Sequence, residues 1–257
     1  MSSVEALATA LRSETPVFSA WCGLPEPAVA GILAREPGYG CVVVDMQHGM
    51  VDALTAIRAI PLVAAAGKPC LPRIPVGDFA TASRLLDAGA SGIIAPMINT
   101  VEDARAFASA TKYPPVGGRS WGPHAALPLS GRDGAGYFTD ANGISVTFAM
   151  IETREALGGI DDILAVDGID AIFIGPFDLS IALSNGSAIA PDGDEVNRAI
   201  DHALVRARAA GKRAGIYAAS GERARHFAGL GFDLVAIGSD TAFMSAGAAS
   251  MLAAATA

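Results

Sequence analysis

Two carboxylates stand where a folded chain rarely tolerates them. Glu152 follows the apolar run Val146-Thr147-Phe148-Ala149-Met150-Ile151, and Asp178 sits within Ile174-Gly175-Pro176-Phe177-Asp178-Leu179-Ser180. A carboxylate ending so apolar a run carries a steep desolvation cost unless it is paired or bound to metal. For Glu152 the plain alternatives are an ion pair with Arg154 or Arg73, or the cap of a following helix. For Asp178 the plain alternative is stronger, because Asp ahead of an apolar helix start is a good N-cap. On adjacent strands of one sheet, however, the two can jointly ligate a hard cation such as Mg²⁺ or Mn²⁺ and leave positions for substrate oxygens.

Other polar groups end apolar runs in the same way. Asp45 and His48 are separated by Met46 and Gln47. A histidine near a carboxylate suggests an oriented base, since the carboxylate fixes the tautomer and raises imidazole basicity; a structural histidine is the plainer reading. Arg73, in Leu71-Pro72-Arg73-Ile74-Pro75, is either the partner of a core ion pair or a clamp on an anionic substrate. Trp21 and Tyr217 close two further runs. His202 and His226 fall in helix-like segments, whereas His124, Arg119 and Ser120 lie in an irregular one and their roles stay open. The only lysines are Lys68, Lys112 and Lys212, each just before a strand or at a helix end. None is placed to form an imine with a carbonyl substrate.

The elements that must position these groups alternate regularly. Eight short apolar runs are expected to be strands: Val17–Cys22, Cys41–Asp45, Cys70–Ile74, Gly92–Pro96, Ser145–Ile151, Ala171–Ile174, Arg213–Ala218 and Leu234–Ile237. Helix-like stretches separate them: Pro25–Glu36, Met50–Ala66, Asp78–Ala88, Val101–Ala110, Gly158–Val166, Glu195–Ala210, Gly221–Leu230 and Thr241–Ala255. Continuous apolar runs mean strands buried on both faces, and eight such units close most naturally into a (β/α)₈ barrel. Several helix–strand joints carry glycine after a small or apolar residue, at Gly67, Gly89, Gly211 and Gly231. Glycine there supplies the left-handed helix cap, so these joints mark the N-terminal face of the barrel. The chemistry-bearing residues then gather at the opposite, C-terminal face, where such barrels place their sites. Tyr113–Gly143 breaks the pattern, with prolines, many glycines and no long periodic run.

Composition agrees with one barrel domain over residues 1–257. Half of the 257 residues are hydrophobic and 17% are charged, which supplies a large core and argues against disorder. The net charge of −8, without long runs of one sign, argues against nucleic acid or an anionic membrane as the main partner. No apolar stretch reaches the roughly 18 residues of a membrane span, and the N-terminus has no basic start followed by an apolar core. Cys22, Cys41 and Cys70 sit in strand-like runs and are expected to be reduced and buried, as in a cytoplasmic protein.

With these residues in place, the chain resembles the metal-dependent class II pyruvate aldolases of the HpcH/HpaI family, the 4-hydroxy-2-oxoheptanedioate and 2-dehydro-3-deoxyglucarate aldolase type. The resemblance runs from Trp21 to Thr241 and rests on VVVDMQHG (42–49), PRIP (72–75), DAGASGIIAPMINTVEDA (87–104), KYPPVGGRSWGP (112–123), IETREAL (151–157) and GIDAIFIGPFDLS (168–180). It implies a TIM barrel of the phosphoenolpyruvate/pyruvate-domain type, with a divalent metal (Mg²⁺, Mn²⁺ or Co²⁺) on Glu152 and Asp178. It implies Arg73 as the group polarising an enolate oxygen and Asp45 with His48 as a proton-handling dyad. Gly175, Pro176 and Phe177 would border the keto-acid carboxylate, and Trp21 and Tyr217 would line the substrate pocket. The implied reaction is reversible cleavage of a 4-hydroxy-2-oxo acid to pyruvate or hydroxypyruvate and an aldehyde, and the implied assembly is a homohexamer, a trimer of dimers. Two positions depart from the pattern: Gln47 stands where many members carry Glu, and Tyr217 where the best-known members have an aliphatic residue. The alternatives are another metal-enolate barrel (an acyl-CoA lyase, an isocitrate-lyase-like enzyme or a phosphonopyruvate-type mutase) and a non-catalytic binding protein.

Overall fold

In the computed structural model, which describes residues 2–256, the eight runs form a closed parallel barrel in sequential order. The strands are β1 (Val17–Cys22), β2 (Cys41–Asp45), β3 (Cys70–Arg73), β4 (Gly92–Ala95), β5 (Val146–Ile151), β6 (Ala171–Ile174), β7 (Arg213–Ala218) and β8 (Leu234–Ile237). The helices are α1 (Ser3–Ala10), α2 (Pro27–Leu33), α3 (Ala53–Ala65), α4 (Phe79–Asp87), α5 (Val101–Thr111), α6 (Ala126–Ser130) and α7 (Gly134–Ile144). They continue as α8 (Arg154–Gly158), α9 (Ile160–Leu164), α10 (Pro176–Leu183), α11 (Asp194–Ala209), α12 (Gly221–Leu230) and α13 (Asp240–Thr256). Three of the expected strands are one residue shorter, because Ile74, Pro96 and Ser145 lie just outside the ladders.

Two layers of core account for the continuous apolar runs. Outward-facing strand residues such as Val42, Ile93, Ile172 and Ile216 pack against the surrounding helices. Inward-facing ones such as Val43, Leu71, Phe148 and Phe173 fill the barrel. At the N-terminal end the filling is completed by Leu7 and Ala8 of α1 and by Leu11 just after it, and this helix, which plugs the barrel, was not singled out by the sequence pattern. The four joint glycines adopt positive φ, from 68° at Gly211 to 101° at Gly89. The orientation read from them is therefore the orientation observed.

The irregular segment is corrected. Residues 113–143 contain α6 and nearly all of α7, and α7 buries Tyr137, Ala141 and Ile144 in a small core shared with Val4 and Tyr113. Gly134, Gly136 and Gly143 mask this helix in the sequence, and tertiary packing rather than propensity holds it. The helix expected over 158–166 is the shorter α9, and a further short helix, α8, precedes it across Gly159. Lys112 reaches under the barrel, where its Nζ donates to Asn142 O and Ser145 O and pairs with Asp170 at 2.7 Å.

Candidate active site

Arg73 and Asp45 stand opposite one another in the β2–β3 ladder, which decides what each can do. The Arg73 guanidinium donates from Nε (2.8 Å) and Nη2 (2.7 Å) to the two Asp45 oxygens. It also lies over the Trp21 ring, 4.8 Å from its centroid. Trp21 Nε1 donates to Asp45 Oδ2, and the amides of Gln47 and His48 donate to Oδ1. Burial alone would raise the Asp45 carboxyl; the guanidinium, the Gln47 amide and the indole outweigh it and hold the group below its ordinary value. Arg73 is thus a buried ion-pair member, and it also lines the cavity.

The expected Asp45–His48 dyad takes a different form. No hydrogen bond joins the His48 ring to Asp45 among the described residues, because Arg73, Trp21 and two main-chain amides occupy the carboxylate. Asp45 positions the His48 backbone instead, and the exposed imidazole lines the rim of the cavity. Close backbone contact sets this loop: a Cβ on Gly49 would fall 2.3 Å from Asp45 O and 2.8 Å from the Gly23 Cα.

Glu152 is 1% exposed at the end of β5. Its Oε1 accepts from the Met97 amide at 2.8 Å, and its Oε2 has no partner. Neither expected ion pair forms. Arg154 turns outward, to Ala182 O, Leu183 O and Glu195, and Arg73 is held by Asp45. Desolvation pushes the Glu152 carboxyl up to about 7, with the Asp178 charge adding to the rise and Met97 and Arg73 opposing it. Met97 carries a positive φ of 54°, a conformation that costs a non-glycine residue of order 1 kcal/mol and here aims its amide at Glu152. The sequence offered no sign of that contact.

Asp178 is not the cap that its sequence context suggests. Helix α10 starts earlier, with Pro176 at its first position, so Asp178 lies in the first turn and makes no capping bond. Its half-buried carboxylate has no hydrogen-bond or ion-pair partner among the described residues and lines the same cavity. Gly175 separates the two acids: a Cβ there would fall 2.7 Å from Glu152 Oε2. The amides of Phe177 and Asp178, at the positive end of α10, have no main-chain acceptor among the described residues.

Trp21, Asp45, His48, Arg73, Gly175 and Asp178 border one cavity of about 480 Å³ at the C-terminal face of the barrel, and Glu152 lies buried against Gly175. The Tyr217 ring packs edge-on against Trp21 (5.4 Å) and Phe177 (6.2 Å) and forms one wall. Asp240, 2% exposed, accepts from the Gly23 and Leu24 amides at 2.8 Å each, tying the last strand's loop to the first. No lysine lines the cavity. Lys68 and Lys212 bond to Tyr39 O and Ile169 O at the other end of the barrel. As a donor set, a bare buried carboxylate oxygen beside a second unpaired carboxylate fits a hard divalent cation, although no cluster of three such residues occurs among the described ones.

The family model described as HpcH/HpaI aldolase/citrate lyase matches residues 18–246. A hydroxypyruvate/pyruvate aldolase of Rhizorhabdus wittichii is 44% identical over 238 residues, 93% of each chain. A 4-hydroxy-2-oxo-heptane-1,7-dioate aldolase of Salmonella dublin is 35% identical over 95% of this chain and 92% of its own. Among solved structures, an HpcH/HpaI aldolase/citrate lyase family protein from Burkholderia cenocepacia superposes with a TM-score of 0.87 at 27% identity, covering 98% of this chain and 100% of that one. An enzyme of the carbon–carbon lyase kind, this chain belongs to the HpcH/HpaI aldolase/citrate lyase family.

Proposed function

We propose that this protein is a divalent-metal-dependent aldolase that reversibly cleaves 4-hydroxy-2-oxo acids to pyruvate or hydroxypyruvate and an aldehyde. The observation that carries the reading is the unpartnered, buried Oε2 of Glu152, close to the unpaired Asp178 at the edge of a cavity that no lysine lines. Held by Glu152 and Asp178, Mg²⁺, Mn²⁺ or Co²⁺ would supply Lewis-acid stabilisation of the enolate charge.

The remaining work falls to the chain. The open amides of Phe177 and Asp178 suit the substrate carboxylate, placed at the positive end of α10 beside Gly175 and Pro176. Arg73 has five N–H donors and spends two on Asp45, so the others are free to donate to the oxygen that gains charge. The Asp45 brace fixes their direction before substrate arrives, which removes reorganisation from the charge-forming step. His48 at the rim takes the proton of the 4-hydroxyl as the C3–C4 bond breaks. The aldehyde departs, the bonding pair remains on the keto-acid fragment as its enolate, and protonation at C3 gives the product. Trp21 and Tyr217 wall the space where the aldehyde forms.

Deuterium exchange into the methyl group of pyruvate in D₂O tests this directly. Chelated protein should not exchange, and Mg²⁺, Mn²⁺ or Co²⁺ should restore exchange in the unaltered chain but not in Glu152→Ala or Asp178→Ala. Exchange that persists without metal, or a pyruvate adduct trapped by borohydride, would sink the reading. We also infer that copies of the chain associate, with a hexamer as the proposed form. The support is α13, whose Met244, Met251 and Leu252 are all at least 60% exposed.

A further inference from the structure

Behind the aromatic wall of the site lies a second, much smaller compartment of about 20 Å³, room for a single water-sized body. Pro176, Phe177 and Tyr217 border both it and the main cavity, so these residues form a partition rather than an outer wall. The far side of the compartment is made by Pro191, Asp192 and Arg223. Pro191 and Asp192 belong to the connection between α10 and α11, which is exposed over most of its length. A connection of that kind would ordinarily be mobile, yet this one is held at three points.

Near its middle, the Ala190 amide donates to Ser180 Oγ, on the helix that carries Phe177 and Asp178. At Asp192, the carboxylate accepts from Arg223 Nε at 2.8 Å and the main-chain oxygen accepts from Asn197 Nδ2 at 2.9 Å. Arg223 closes the clamp by donating from Nη2 to Asn197 Oδ1 at 2.9 Å. The guanidinium is itself seated on the Phe227 ring, 4.4 Å from the centroid. A planar, multi-donor cation on an aromatic face loses little freedom when it makes such bonds, so the clamp is stiff for a partly exposed ion pair. The compartment behind the partition is therefore bounded by a clamped segment of chain. Tyr217 and Pro191 line the same small compartment, and Pro191 is followed directly by the clamped Asp192.

We propose that Arg223 and Asp192, which do not line the main cavity, are positioning residues for aldehyde selection: they brace Tyr217 and Phe177 from behind and so limit the length of aldehyde the site accepts. The inference rests on the aldolase reading and names its substrate class, short-chain aldehydes. A longer chain has only one way to be accommodated on that side, into the rear compartment, and the clamp keeps that way shut. Neither Asp192 nor Arg223 bonds to the Phe177 and Asp178 amides proposed for the keto acid.

The test compares kcat/KM for glycolaldehyde and for pentanal, each condensed with pyruvate, in the metal-loaded full-length protein and in Asp192→Ala, Arg223→Met and the double variant. Asp192 is largely exposed, so its removal leaves the fold intact even where loss of Arg223 does not. The unaltered protein should favour glycolaldehyde. Each single variant should shift the ratio toward pentanal by roughly tenfold, the size expected when a pocket stops rejecting added methylenes, and mainly through KM. Because the pair acts as one clamp, the double variant should shift no further than either single one. Methyl deuterium exchange of pyruvate should stay constant throughout. Unchanged ratios in both single variants, shifts that add in the double variant, or exchange that falls in step with aldehyde turnover would overturn the brace while leaving the aldolase reading standing. No exchange in the unaltered, metal-loaded protein would overturn that reading, and the brace with it.

Discussion

Glu152 accepts from the Met97 amide at one oxygen and leaves the other buried without a partner, a state that costs stability whenever the group is charged. The direction of its pKa turns that cost into a prediction. A carboxyl raised from 4.5 to about 7 favours the folded state fully while it is protonated, below its ordinary value, and loses that contribution as pH rises through about 7. At about 1.4 kcal/mol per unit the loss amounts to about 3 kcal/mol. In chelator, unfolding free energies of the unaltered protein should therefore fall between pH 5 and pH 8 by about that much more than those of Glu152→Gln, which does not titrate. Parallel pH profiles for the two proteins would contradict it. The identity of this residue was plain from its sequence, since no apolar run ends on a carboxylate without cause. Its environment was not, because the Met97 amide comes from a neighbouring strand's loop and owes its direction to one unusual φ.

Elements add what single residues lack. Helix α10 begins at Pro176, three residues ahead of where an Asp178 cap would put it, and that shift turns Asp178 from a helix cap into a free acid. Pro176 was the available clue, since proline favours a first helical position. The register of β2 with β3 similarly gave Asp45 to Arg73 and left the His48 imidazole without it. Spacing along the chain could not foresee that, because the competing cation comes from another strand. The strands themselves were legible to within a residue because runs such as Cys41–Asp45 and Ala171–Ile174 are apolar at nearly every position. Helix α7 was not, since its glycines hide it. Between Glu152 and α10 the clearance is set by Gly175. Gly175→Ala would place a methyl 2.7 Å from Glu152 Oε2, and the carboxylate must move. A folded Gly175→Ala protein should bind Mn²⁺ roughly 10- to 100-fold more weakly by calorimetry, the range seen when groups supporting metal ligands are altered. Unchanged affinity would show that Glu152 does not hold the metal.

At the scale of the molecule, the barrel separates stability from chemistry by end. One end carries α1, the Lys112–Asp170 pair and the small core around Tyr137; the other carries the cavity. Asp240 belongs to neither job alone. Its carboxylate grips the Gly23 and Leu24 amides, which rim the cavity, while its backbone opens α13. Asp240→Ala should cost about 2–3 kcal/mol of stability, as for loss of hydrogen bonds to a buried charge. It should also raise KM for the keto acid at nearly constant kcat. A change in stability with KM unaltered would show the grip to be structural only. That same carboxylate makes the final helix a lever with its fulcrum at the mouth of the site. In the proposed assembly, whatever surface α13 lies against would set the angle of the lever and so bear on the opening from as far as sixteen residues beyond Asp240.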